Sequence, residues 1–170
     1  MLVVPDWVAI NRRMMTRRTL LLLAAAIGAN LFALSASAQL QRFATSELTI
    51  VSSTGPHHFA VEVAKTPEQM EQGLMFRRDM APDSGMLFEY PAPTVATMWM
   101  RNTLIPLDML FVDAQGRIIN IHERAVPLSL EVISAAAPVR AVIELNGGTA
   151  SRLGIAPGDL VRHPFFGNTS

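Results

Sequence analysis

Past residue 47 the chain is cut into short pieces. Apolar runs of four to eight residues alternate with clusters of Gly, Pro, Asn and Asp, and one segment, opening at Thr66, has the makings of a real helix. Pieces of that length suit strands, and strands recurring every 8–12 residues point to a small antiparallel barrel or sandwich. In Phe59–Ala64, Phe59, Val61 and Val63 alternate with Ala60, Glu62 and Ala64, the period of a half-buried strand. Further strands are expected at Leu48–Ser52, Met86–Tyr90, Thr94–Arg101, Leu107–Asp113, Arg117–His122, Val139–Leu145 and Leu160–His163. Gly55-Pro56, Asp113–Gly116 and Ile155–Gly158 supply turns. Thr66, Pro67 and Gln69 make a capping box at the helix start, Met70 and Leu74 its buried side, and Arg77-Arg78 its C-terminal charge. Thr149 is expected to cap one further helical turn. The expected fold is mainly β, of the α+β class: a small antiparallel β-barrel-like single domain over residues 47–163 with one main helix. Residues 39–46 read as a flexible lead-in and 164–170 as a tail.

The N-terminal part reads differently. Arg12-Arg13 and Arg17-Arg18 precede an uncharged apolar run from Thr19 to Leu34, closed by Ser35-Ala36-Ser37-Ala38. A basic start, an apolar middle and an Ala-x-Ala end make a secretory signal peptide over residues 1–38, with cleavage expected after Ala38. The residues before Met14 fit no signal type, which makes Met14 or Met15 an alternative start. The Arg17-Arg18 pair suits the general or the twin-arginine route, so the expected location is periplasmic or secreted. The apolar run falls short of the roughly 20 residues that span a bilayer, and no stable membrane span is expected after cleavage.

The whole chain carries 14 basic and 14 acidic residues. The leader takes four arginines and Asp6 with it, leaving ten basic and thirteen acidic groups and a net charge near −3. With Lys65 its only lysine, the remainder offers a phosphate backbone no basic face, which excludes nucleic acid as a partner. The chain has no cysteine, so neither disulfides nor thiol chemistry enter. Gly-x-Ser-x-Gly and glycine-rich phosphate loops are absent. His57 and His58, adjacent on a strand, point to opposite faces and cannot share a metal.

Several ordered blocks carry a resemblance. Gly73-Leu74-Met75-Phe76-Arg77, Gly85-Met86-Leu87-Phe88, Met98–Thr103 with Pro106-Leu107-Asp108, Ala141–Leu145 with Gly147-Gly148, and Gly158-Asp159 resemble the domain of unknown function 192 family. The resemblance implies a compact β-barrel-like fold and an often exported protein. That family has no established activity, so it supplies no catalytic residue and no cofactor.

Chemistry must then be sought residue by residue. Along Leu107–Asp113, both faces are apolar, which makes Asp108 a carboxylate in a low-dielectric setting that must be paired, hydrogen-bonded or protonated. Glu144, between Ile143 and Leu145, poses the same question. Arg77, Arg78 and Arg101 are available cations, Asn102 and Thr103 add hydrogen bonds, and Trp99 offers a stacking surface. Together these residues outline a non-enzymatic module binding a small polar ligand or an exported protein partner. A structural ion pair with an Asn-Thr turn is the alternative role for the same groups. Two other functions compete: a hydrolase, acting on glycans, with Asp108 and Glu144 as its carboxylate pair, and a copper protein using Met98 and Met100, thioethers on one strand face that suit Cu(I).

Overall fold

The computed structural model describes residues 40–169, so the signal peptide over 1–38 lies outside the described residues. Nine strands and two short helices follow in the order β1 (Ala44–Ser52), β2 (Gly55–Ala64), α1 (Pro67–Gln72), β3 (Ser84–Thr94), β4 (Thr97–Met98), β5 (Leu107–Val112), β6 (Ile118–Ala125), β7 (Ile133–Ser134), β8 (Val139–Asn146), α2 (Thr149–Leu153) and β9 (Leu160–Arg162). Seven of them form one curled sheet in the order β6-β5-β8-β3-β2-β1-β9, and β4 pairs with β7 separately. The two edges of the sheet meet at one end, where Ile118 N–H bonds the Asp159 carbonyl and Val161 N–H the Gly116 carbonyl. The result is a half-barrel in a mainly β, single-domain fold. No helix among the described residues is long and apolar enough to cross a membrane.

A two-sided core explains the sequence. One face of the sheet buries Leu48, Ile50, Val61, Leu87, Leu110 and Ile143 inside the half-barrel. The other buries Met86, Phe88, Met100, Leu107, Met109 and Phe111 beneath the irregular segments between strands. Every residue of β5 is buried, as its apolar-on-both-faces pattern requires.

Several expectations are corrected. β2 and β3 pair in parallel, because the chain crosses from one to the other through α1 instead of turning back. Of Thr94–Arg101, Thr94 ends β3 and only Thr97–Met98 beyond it is strand. Beyond it Met100 is fully buried, and the chain turns at Asn102, whose φ is 55°. The capping box at Thr66 forms, but α1 stops at Gln72 with no basic residue in its last turn, so Arg77 and Arg78 lie beyond it. The lead-in is strand from Ala44 onward. In the tail, Pro164–Phe166 forms a 3-10 turn that lays Phe165 and Phe166 on the inner core.

Candidate functional site

The two buried carboxyls lie on opposite faces of the same sheet. β5 and β8 are antiparallel, with Asp108 opposite Leu145 and Met109 opposite Glu144. Residues directly opposite share a face, so Asp108 joins Leu145, Leu110 and Val112 on the inner side. Glu144 joins Met109, Met86 and Val142 on the outer side. The sheet itself stands between them. This overturns the hydrolase reading, which needs both carboxyls in one open cleft.

Asp108 is fully buried and fully satisfied. Its Oδ1 accepts from the backbone N–H of Arg124 and of Gly148, and its Oδ2 from that of Ala150, each at 2.8 Å. The expected cap Thr149 is instead the first residue of α2; Gly148 holds the cap position at φ 89° with no side chain to offer. The Asp108 carboxylate takes over that role from another strand, tying the end of β6 and the β8–α2 loop to β5. It is a structural group and lines no groove with Trp99.

Glu144 presents the opposite case. Its side chain is 4% exposed, and among the described residues no hydrogen bond or ion pair reaches its carboxyl. Burial pushes that carboxyl up to about 8, so it is protonated at neutral pH. It lines a narrow recess of about 30 Å³ together with Thr103, Trp99, Met70, Met75, Met98, Phe88 and Gly73. The recess adjoins a groove of about 480 Å³ formed by Met70, Phe88, Tyr90, Thr97, Met98, Trp99 and Val132, with the exposed Glu71 beside them. Trp99 is 44% and Val132 63% exposed, which leaves this apolar groove open to solvent. The Tyr90 hydroxyl donates to the Met98 thioether at 3.8 Å. Burial raises the Tyr90 phenol above its ordinary range, and the nearby Glu144 charge adds to the shift.

The remaining expected residues divide between this groove and the scaffold. Trp99, Thr103 and Glu144 meet in the recess. Arg101 stays outside it, exposed, with its guanidinium 5.4 Å from the Trp99 ring centre. Asn102 props the rim by donating to the Met75 thioether at 3.8 Å while its carbonyl accepts from Phe76 N–H. Arg77 pairs with Glu62 and touches neither groove nor recess. Met98 faces the groove but Met100 is sealed in the core, so the expected Met98–Met100 copper pair does not form. Sequence reasoning missed Tyr90, Phe88 and Gly73. The period-2 spacing of Met86, Phe88 and Tyr90 carries a signal for the first two. Gly73 stands in a block that carries the family resemblance, but nothing gave it a role; at φ 47° at the end of α1, its lack of a Cβ leaves room where one would come within 3.1 Å of the Phe88 ring.

The described residues contain no group of three or more His, Cys, Asp or Glu able to hold a metal ion. A family model, domain of unknown function 192, described as an uncharacterized ACR, matches residues 49–163. No curated protein matches the chain in sequence. Crystal structures similar to it include those of two proteins. One, from Sinorhizobium meliloti 1021, is described as that of a candidate transcription regulator; it is 45% identical, covers 75% of this chain and 99% of its own, with a TM-score of 0.72. The other, a protein of unknown function from Novosphingobium aromaticivorans DSM 12444, is 40% identical and covers 76% and 98%, with a TM-score of 0.69.

Proposed function

Because the chain belongs to the uncharacterised domain of unknown function 192 family, we propose its function from the site: an exported, non-enzymatic module that binds a small ligand in the groove beside Trp99. The observation that carries this is the Glu144 carboxyl, 4% exposed and pushed up by burial, lining a recess at the foot of an open apolar groove. Such a group costs stability where it stands, and an apolar residue would serve the core better. A buried titratable group with a perturbed pKa in a cleft is the signature of a functional site, and aromatic and thioether walls with a single polar group suit a small molecule. The basic start, apolar run and Ala36-x-Ala38 of the leader support delivery to the periplasm or medium. The role described for the Sinorhizobium relative is not carried over, since the chain beyond the leader is net acidic with one lysine.

The test is a ligand screen by thermal unfolding, with sugars, peptides, cell-wall fragments and small amphiphiles. A compound at a hundred times its Kd adds about 2.7 kcal/mol, a shift of several degrees. Hits that vanish in Trp99→Ala support the reading, and hits that all persist there refute it. Sequencing the exported protein from its N-terminus is expected to begin at Gln39.

One observation favours a second reading. Met70, Met75 and Met98 line the recess together, three soft thioethers that suit Cu(I). Stabilisation by Cu(I) that is lost in Met98→Leu would establish it.

A further inference from the structure

We infer that the ligand of this groove carries a primary ammonium group on an apolar stem, the ammonium entering the recess and the stem lying along Trp99. The inference rests on the binding reading above and specifies its ligand. Three observations lead to it.

The first is charge. Two carboxyls, Glu144 at the foot and Glu71 alongside, line the recess, and no basic side chain does. Arg101 sits on the Trp99 ring and lines neither cavity. The second is the set of polar partners. The recess offers acceptors in the Glu144 carboxyl, the Thr103 hydroxyl oxygen and the Met70 thioether, while the Gln72 amide oxygen and the Met75 and Met98 sulfurs already accept from Gln41, Asn102 and Tyr90. An ammonium is all donor. Aromatic walls add to its attraction, since a cation is drawn to the faces of Trp and Phe rings. The third is size. The recess, about 30 Å³ against about 480 Å³ for the groove, favours a compact head group such as –NH3+ over a bulkier trimethylammonium. The open, apolar groove beyond takes the stem.

Proton linkage follows from the same arrangement. With the groove empty, Glu144 holds its proton near neutral pH. An arriving ammonium favours the carboxylate, and the proton leaves through the groove to solvent. Tyr90 and Glu71 are the other titratable groups that face this region. Tyr90 stays neutral there, because its pKa is raised further, and Glu71 is exposed.

The test compares four molecules with one stem: hexylamine, hexanol, hexanoate and hexyltrimethylammonium, each titrated calorimetrically into the purified protein near neutral pH. Hexylamine is expected to bind best, with release of a proton, read as a heat that depends on the ionisation enthalpy of the buffer. Glu144→Gln is expected to weaken hexylamine by at least about tenfold, to abolish the proton release and to leave hexanol unchanged. A capped lysine amide, titrated alongside, separates a free amine from a lysine side chain as the source of the head group; binding by either supports the inference. Hexanol binding as tightly as hexylamine, or hexylamine unaffected by Glu144→Gln, overturns the ammonium inference while the groove reading stands. If none of the stems binds, and none of the screened compounds is lost in Trp99→Ala, both fall. Cooperative unfolding of Glu144→Gln and its retained hexanol binding show that a loss is not misfolding.

Discussion

Replacing Asp108 by asparagine tests whether that carboxylate is a fastener. The wild-type side chain is fully buried and receives three backbone N–H groups at 2.8 Å, two on Oδ1 and one on Oδ2. Asparagine can keep the Oδ1 pair, weakened by loss of charge, but turns an NH2 toward the N–H of Ala150, donor against donor. A hydrogen bond to a charged group is worth about 1.5–3 kcal/mol, and a buried N–H left unpaired costs about 1–3 kcal/mol. Partial relaxation of the loop recovers some of this, so Asp108→Asn is expected to lose about 3 kcal/mol. In a domain of this size that lowers Tm by about 10 °C. Urea unfolding gives the free energy directly, and hydrogen exchange localises it: the amides of Gly148 and Ala150 are expected to lose protection before those of β5. A variant within about 0.5 kcal/mol of wild type, the range of an ordinary surface substitution, would refute the fastener. So would a loss of stability with the two loop amides still protected.

Glu144 makes stability depend on pH in the direction opposite to an ion-paired carboxylate. Its folded carboxyl sits at about 8 against an ordinary 4.5, so between those values the native state binds the extra proton. Stability from this group is full below 4.5 and falls as pH rises, at up to about 1.4 kcal/mol per pH unit. Glu144→Gln is expected to flatten that slope in urea melts taken across the range, and parallel profiles would refute the assignment. Gly85 has a different constraint: a Cβ there would lie 2.5 Å from the Glu144 carbonyl oxygen and 2.8 Å from a Leu145 methyl. Backbone cannot yield as a side-chain tip can, so Gly85→Ala is expected to cost about 3 kcal/mol, the upper end for overpacking, as measured by chemical unfolding.

How the sequence speaks for each part of the site follows from what each part depends on. The faces of β5 were legible because they rest on one strand's own alternation: Leu107, Met109 and Phe111 fall on one side and Asp108, Leu110 and Val112 on the other, whatever the partner. The helix start was legible because a capping box is closed within four residues. The strand expected over Thr94–Arg101 failed because Met100 answers to the outer core and the turn at Asn102, neither of which the local pattern registers. The two acids show the limit most plainly. Asp108 and Glu144 carry the same sequence signal, one acid among apolar neighbours on a buried strand, yet one is a structural cap and the other faces a groove. What separates them is the β5–β8 register. A slip of one residue would set Glu144 opposite Asp108 and bring both carboxyls to one face. Register is decided by which apolar set fills the half-barrel, a property of the seven-stranded sheet as a whole. The groove inherits this dependence, since Met70, Phe88, Met98, Trp99 and Glu144 come from α1, β3, the β4 segment and β8. A site assembled from four elements exists only once the sheet has chosen its register, so Trp99, Thr103 and Glu144 could be named together from the sequence, but not separated from Asp108 and Arg77 or joined to Met70, Phe88 and Tyr90.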